Sequence, residues 1–147
     1  MKPRAPIRHQ PVILLVEDEF LFRVMEVEVL RDAGFYVLEA EDADEAFECL
    51  KKRDDIRAII TDVAMPGSLD GFEFARLVAQ GWPEVSVLVV SGKRPPKPGD
   101  LPSTALFVSK PVSARGLVDK VSSLISAGAE QPAVQASTGA SVQDLEQ

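Results

Sequence analysis

Short apolar runs alternate with amphipathic stretches along most of the chain. The clearest run, Val12–Val16, is continuously apolar with β-branched residues, which is typical of a strand buried on both faces. Four more runs also predict strands. They lie at Phe35–Glu39, Ile56–Thr61, Val85–Val90 and Ala105–Val108. The pattern therefore predicts five strands.

Helical periodicity appears between these runs, and the first helix is predicted over residues 19–33. It carries two apolar stripes, of which we expect one to face the core. That stripe consists of Phe22, Met25, Val29 and Leu30, and the other consists of Phe20, Val24 and Val27.

Three further helices are predicted from capping signals and apolar stripes. The second begins at Asp42 with Glu45 in the spacing of a capping box, the third spans residues 71–80, and the last begins at Ser113. The residues expected to be buried are Ala43, Ala46, Phe47 and Leu50, then Phe72, Ala75, Leu77 and Val78, and finally Leu117, Val121, Leu124 and Ile125.

Strands that alternate with helices indicate right-handed β-α-β units, and hence an α/β fold with a parallel sheet covered on both faces. One connection differs from the rest. The segment Gly92–Pro102 contains four prolines and two glycines in eleven residues, so a regular helix cannot persist there.

The two ends of the chain lack sustained apolar periodicity. Residues 1–10 are predicted to be a disordered arm and residues 127–147 a disordered tail, which leaves 11–126 as one domain. No apolar run approaches the ~20 residues of a membrane span. The first residues also lack the apolar stretch of a signal peptide, so we expect a cytoplasmic protein with no membrane partner.

Charge and cysteine content exclude other classes of protein. The net charge is −7 and the pI is about 4.7, whereas nucleic-acid binding requires a cationic surface, so no nucleic-acid partner is expected. The single cysteine excludes an internal disulfide.

Reactive side chains follow four of the predicted strands. Glu17 and Asp18 follow the first, Asp62 the third, Ser91 the fourth and Lys110 the fifth. Ligands of open parallel sheets bind outside the carboxyl ends of the strands, so these side chains should converge there. Each residue alone is more often a turn or surface residue, and only the joint pattern indicates a site.

This combination suits a phosphoryl group and a hard cation. Crowded carboxylates repel one another unless a cation with oxygen ligands, such as Mg²⁺, lies between them. An ammonium and a hydroxyl can stabilise the oxygens of a phosphoryl group in transfer, and a carboxylate can be the nucleophile.

Four segments of the sequence resemble the conserved blocks of response-regulator receiver domains. They are VILLVEDEFLFR, IITDVAMPGSLDGFEF, VLVVSGK and LFVSKPVS, within residues 11–126. The resemblance implies a flavodoxin-like, doubly wound, five-stranded parallel sheet in the order 2-1-3-4-5. It also implies a two-component signalling protein that is phosphorylated by a histidine kinase or a histidine phosphotransfer protein and signals to an unknown downstream protein.

The resemblance assigns roles to the acidic residues and one carbonyl group. Asp62 is the expected phosphoacceptor and a ligand of Mg²⁺. Asp18 is the expected direct ligand of the metal, Glu17 holds a metal-bound water, and the carbonyl of Ala64 completes the protein ligands.

The remaining roles fall on residues of the fourth and fifth strands. Lys110 and Ser91 are expected to contact the phosphoryl oxygens, and Phe107 matches the aromatic switch position whose rotamer follows the hydroxyl residue. Pro111 matches the proline that commonly forms a cis peptide bond with the lysine. Apart from its own phosphorylation and dephosphorylation, no enzyme activity is expected.

Three features depart from the commonest receivers. One extra residue separates Asp62 from Asp70, so we expect a local loop change with an intact site. Ala64 and Lys93 occupy positions that tune how fast the phosphoryl group is lost. The proline-rich segment leaves the helix after the fourth strand degenerate or replaced by a loop, which puts the usual route of output in question.

Two other classes of function are alternatives. A pseudo-receiver would act as an interaction module without phosphate, but the complete acidic pocket argues against it. A nucleotide-binding or hydrolytic α/β enzyme would need a phosphate-binding glycine loop or a nucleophile elbow, and neither motif occurs. If the chain is complete, we expect it to act through protein contacts.

Overall fold

The computed structural model describes residues 10–64, 67, 69–92 and 95–130. Five strands and four helices alternate along this part of the chain, except that β5 follows β4 without a helix between them among the described residues. The elements are β1 (Val12–Val16), α1 (Phe20–Asp32), β2 (Tyr36–Ala40), α2 (Ala43–Lys52), β3 (Ile56–Thr61), α3 (Gly71–Gly81), β4 (Ser86–Ser91), β5 (Ala105–Ser109) and α4 (Ala114–Glu130).

The strands form one parallel sheet in the order β2-β1-β3-β4-β5. This is the flavodoxin-like order, and the predicted fold is confirmed. Every residue of β1 is buried, because helices cover both faces of the central strand.

Two hydrophobic clusters lie on opposite faces of the sheet. Val12, Leu14 and Val16 of β1 join α2 and α3 in one cluster. Ile13 and Leu15 join α1 and α4 in the other. Alternate residues of one strand therefore serve two different helix layers, which is the doubly wound arrangement.

The predicted core face of α1 is only partly correct, because Leu30 is buried as expected and Val29 is partly buried, but Phe22 and Met25 face solvent. Phe22 and Met25 are 52% and 60% exposed, whereas Val27 and Leu30 are buried. Arg23 occupies the remaining buried position on that face, since its hydrogen-bonding groups find partners there. The helix is apolar on several faces, so periodicity alone could not decide which stripe packs inward.

The other helices begin and pack largely as predicted. Asp42 caps α2 by accepting from the Glu45 N–H, and the Ser113 hydroxyl accepts from the Gly116 N–H at the start of α4. At Leu77, however, the prediction of burial is wrong, because this side chain is 40% exposed and Phe74 is buried in its place.

The last helix is longer than predicted. Helix α4 continues to Glu130, four residues into the segment that was predicted to be a disordered tail. The predicted arm up to residue 9 and the tail from residue 131 lie outside the described residues. Of the helices in the described part of the chain, none combines the length and apolar character needed to cross a membrane.

Candidate functional site

Five of the predicted site residues follow or end strands at the same edge of the sheet. Glu17 and Asp18 follow β1, Asp62 follows β3, Ser91 is the last residue of β4, and Lys110 follows β5. Because all five strands are parallel, their carboxyl ends meet at this edge.

Asp62 is the centre of the hydrogen-bonded cluster. The Lys110 ammonium donates to Asp62 Oδ2 at 2.8 Å, and the Ala64 N–H donates to Oδ1 at 3.2 Å. Burial by itself would raise the pKa of Asp62, but hydrogen bonds from Lys110 and Ser91 outweigh it and lower the pKa. Asp62 is therefore an ionised carboxylate at neutral pH.

Lys110 is held from two sides. Its backbone N–H donates to the Ser91 carbonyl at 2.9 Å, and its peptide bond with Pro111 is cis, as the resemblance implied. Burial would lower the pKa of Lys110, but the hydrogen bond to Asp62 and the nearby carboxylates raise it. The side chain therefore stays a cation beside the aspartate.

The acidic pair of the β1–α1 loop differs in exposure. Glu17 is only 7% exposed and its Oε2 accepts from the Glu19 N–H at 3.1 Å, whereas Asp18 is exposed. Burial raises the pKa of Glu17, and the negative charges of Asp62 and Asp18 raise it further. Glu17 therefore lies close enough to Asp62 and Asp18 to be repelled by both carboxylates.

The available donors fit a magnesium ion. Within the described residues, no three acidic, histidine or cysteine side chains converge closely enough to form a cage by themselves. The predicted ligands are instead carboxylates and the Ala64 carbonyl, all oxygen atoms, and Mg²⁺ usually takes one or two carboxylates with water and phosphate oxygens. A cation bound there would offset the negative charges of Asp62 and Asp18 that face Glu17.

The two predicted switch positions lie on β4 and β5. Ser91 is fully buried, and Phe107 is partly buried with its ring centroid 6.2 Å from that of Phe72.

Some of the residues at which the sequence departs from the commonest receivers lie outside the part of the chain that the structure describes. These are Met65, Pro66 and Ser68 in the longer loop after Asp62, and Lys93.

Two charged residues of α1 were missed by the sequence reasoning. Arg23 is buried, and Glu26 is partly buried beside a cavity of about 500 Å³ between α1 and the segment that joins β5 to α4. Burial, together with the charges of Glu17 and Asp62, raises the pKa of Glu26 to about 7. The sequence did carry a signal for both residues, since each charged side chain interrupts an apolar stripe of the helix.

Comparison with known proteins agrees with this geometry. The family model described as the response regulator receiver domain matches residues 13–122. The chain therefore belongs to the receiver-domain family of two-component response regulators.

Individual relatives show the same relationship. The chain is 30% identical over 116 residues to the response regulator receiver protein CpdR of Brucella abortus, covering 77% of this chain and 95% of CpdR. It is 31% identical over 117 residues to the sensor kinase CckA of the same organism, covering 77% of this chain but only 12% of the kinase. Receiver domains thus make up nearly all of one relative and a small part of another.

A crystal structure of a receiver protein from Sinorhizobium medicae superposes with a TM-score of 0.71. The two chains are 26% identical, and the match covers 82% of this chain and 98% of that one.

Proposed function

We propose that this receiver domain accepts a phosphoryl group on Asp62 from the phosphohistidine of a histidine kinase or a histidine phosphotransfer protein. The observation that carries the proposal is the pairing of Asp62 with Lys110 at 2.8 Å, next to the buried Ser91 and Glu17. An ionised carboxylate beside a fixed ammonium and a hydroxyl is suited to nucleophilic attack on phosphorus.

The transfer itself exchanges one bond for another. A carboxylate oxygen of Asp62 forms a bond to phosphorus while the phosphorus–nitrogen bond to the donor histidine breaks, and the imidazole leaves. Lys110 and Ser91 donate hydrogen bonds to the phosphoryl oxygens as their charge is redistributed. Attack by water on the aspartyl phosphate later returns Asp62 and inorganic phosphate, so the domain also limits the lifetime of its own signal.

Mg²⁺ is the cofactor that we propose for this site. Asp18, Asp62 and the Ala64 carbonyl would bind it directly, and Glu17 would hold one of its waters. When bound, the ion supplies positive charge against the phosphoryl oxygens and brings them to Asp62.

The partner surface that we propose is the exposed side of α1, next to the site. Its apolar side chains are between 46% and 69% exposed, an unusual concentration for one helix. They are Phe20, Leu21, Phe22, Val24 and Met25. A helical bundle carrying the phosphohistidine could cover this face while its imidazole reaches Asp62, and a downstream protein would be regulated by contact with the phosphorylated domain.

A small phosphodonor with Mg²⁺ tests the proposal without a kinase. Wild-type protein should form an acid-labile phosphoryl adduct, and Asp62→Asn should abolish it because the amide is a poor nucleophile. Asp42→Asn makes the same chemical change at the N-cap of α2, where asparagine caps equally well, and should leave phosphorylation intact.

The assignment of Asp62 is wrong if the Asp62→Asn variant takes up phosphate with unchanged lability. Wild-type protein that neither binds Mg²⁺ nor takes up phosphate would instead favour an interaction module that works without phosphorylation.

A further inference from the structure

A buried arginine side chain lies next to the loop that carries the acidic pair, Glu17 and Asp18. Arg23, in the first turn of α1, is only 9% exposed. The Phe20 ring covers its outer side, with the guanidinium carbon 5.6 Å from the ring centroid. A buried charge is costly unless it is paired and hydrogen-bonded, so the contacts that keep it there define its role.

Those contacts join two neighbouring strand ends. Arg23 Nη1 donates to the Glu17 carbonyl at 2.8 Å, on the loop that follows β1. Its Nε donates to Glu39 Oε1 at 3.2 Å, and its Nη2 lies 3.7 Å from Glu41 Oε2, both at the end of β2. The guanidinium therefore ties the β1–α1 loop to the strand beside it.

Glu17 is consequently fixed at three points. Its N–H donates to the Ala40 carbonyl at 3.0 Å, its carbonyl accepts from Arg23, and its carboxylate accepts from the Glu19 N–H. Of these, the bond from Arg23 is the only one made by a side chain outside the 17–19 loop. Its two carboxylate partners, Glu39 on β2 and Glu41 just after it, balance the positive charge, so the guanidinium can lie close to a cation site.

We propose that Arg23 is a positioning residue for the predicted magnesium site. It holds the backbone of Glu17, and with it the carboxylates of Glu17 and Asp18, in the arrangement that binds the ion. This inference rests on the proposed function, because it concerns the same site. Residues that orient metal ligands typically change metal affinity by roughly 10–100-fold when they are replaced.

Arg31 provides a matched control on the same helix. It donates to the Val37 carbonyl at 3.4 Å and lies 3.9 Å from Glu39 Oε2, so it also links α1 to β2. It lies at the other end of the helix, away from the acidic pair. Arg31→Met should therefore remove a contact between α1 and β2 without freeing the Glu17 loop.

The test compares Mg²⁺ affinity by calorimetric titration in the full-length wild type, Arg23→Met, Arg23→Lys and Arg31→Met, with urea unfolding of each. Arg23→Met should weaken Mg²⁺ binding about tenfold. Arg31→Met should stay within about twofold of the wild type. Arg23→Lys keeps the alkyl stem and one donor toward Glu17, so it should recover part of the affinity and decides the outcome if Arg23→Met fails to fold.

Phosphorylation by acetyl phosphate gives a second readout. In Arg23→Met the Mg²⁺ concentration needed for half-maximal rate should rise by about the same tenfold, while the rate at saturating Mg²⁺ changes much less. A general loss of structure would lower both.

Three outcomes would overturn the inference. Unchanged Mg²⁺ affinity in folded Arg23→Met or Arg23→Lys would show that the loop does not need the guanidinium. An equal loss in Arg31→Met would show that any weakening of the α1–β2 contact has the same effect. Wild-type protein that binds no Mg²⁺ would overturn the proposed function as well, so the two failures are distinguishable.

Discussion

Gly71 shows how closely the backbone of α3 approaches the loop that carries Asp62. Its N–H donates to the Val63 carbonyl at 2.8 Å, and a Cβ added at this position would overlap the carbonyl group of Asp62. The obstacle is backbone, which has little freedom to move aside. The glycine next to Asp70 is therefore required by the distance between the helix and the loop, and it connects the start of α3 to the placement of Asp62.

Replacing Gly71 by alanine should displace the Asp62 loop. We expect Gly71→Ala to lower the free energy of unfolding by about 1–3 kcal/mol, the range for overpacked sites, and to slow phosphorylation by a small phosphodonor. At Gly81, the other end of the same helix, an added Cβ would meet no heavy atom within 4 Å apart from its chain neighbours and the adjoining helix backbone. Gly81→Ala should change stability by less than about 1 kcal/mol, with a gain favoured by helix propensity.

Urea denaturation of both variants measures the difference. Similar losses of stability in the two would contradict the steric explanation, because only Gly71 lies against backbone.

The segment between β4 and β5 is the element that departs most from an ordinary alternation of strands and helices. Its later part is nevertheless anchored. Arg76 of α3 donates to the Asp100 carbonyl at 2.7 Å, and the Asp100 carboxylate accepts from the Lys97 N–H at 2.8 Å. Leu101 packs against the hydrophobic cluster that includes residues of α2 and α3. The proline-rich connection thus has a tethered end toward β5.

We predict that phosphorylation changes the order of Gly92–Pro102, because residues 92 and 95–102, the part of this segment that the structure describes, contain no regular helix that could shift as a rigid body. Ser91, which is buried at the end of β4, would move toward the phosphoryl group, and Phe107 would follow it. Amide hydrogen exchange with Mg²⁺, with and without beryllofluoride, should show altered protection in peptides from residues 92–102.

The Arg76→Gln variant removes the hydrogen bond to the Asp100 carbonyl and so provides a second test of this segment. Without beryllofluoride, this variant should already exchange faster over residues 97–101, whereas Arg115→Gln at an exposed position of α4 should not. Protection that changes only in the loops after β1 and β3 would mean that output leaves through another face.

An exposed apolar surface on α1 lies next to the candidate site. The exposed side of α1, carrying Phe20, Phe22 and Val24, adjoins the edge where Asp62 and Lys110 meet, and the Phe22 ring centroid lies 5.7 Å from Lys110 Nζ. Val27 shares a stripe with Phe20 and Val24 but is buried, whereas those two side chains are exposed. A partner would therefore contact only the first two turns of this stripe.

A charge on this face should interfere with a kinase but not with the site. Val24→Asp is expected to slow phosphotransfer from a cognate kinase by at least about tenfold, as a hot-spot residue would, while small phosphodonors still modify Asp62. Leu77→Asp makes the same change on α3, where exposure is 40% compared with 46% at Val24, and should alter transfer by less than about twofold.

Phosphotransfer assays with both donors separate binding from folding. If Val24→Asp loses both reactions equally, the variant is misfolded. If it loses neither, the kinase contacts another surface.

Local sequence determined much of the fold and the composition of the site. The strand runs, the capping residues at Asp42 and Ser113, and the breaks imposed by proline depend on neighbouring residues, so they could be predicted from the chain alone. The parallel order follows from the alternation of strands and helices and from the resemblance to the receiver family. Since parallel strands end at one edge, the sequence also predicted that Asp62 and Lys110 would meet there.

Only the tertiary structure decided which face of α1 packs inward and how Arg23 and Glu26 come to be buried or partly buried. The helix has apolar residues on several faces, so periodicity offered two inward stripes, and the buried face takes Leu30 from one and Val27 from the other. Which side chains of α1 are buried depends on partners from elsewhere in the chain. Glu39, on β2, lets the Arg23 side chain be buried. Burial, and then the charges of Glu17 and Asp62, raise the pKa of Glu26. Hydrogen bonds and charges between residues distant in sequence carry no local periodic signal, and they exist only once the strands are side by side.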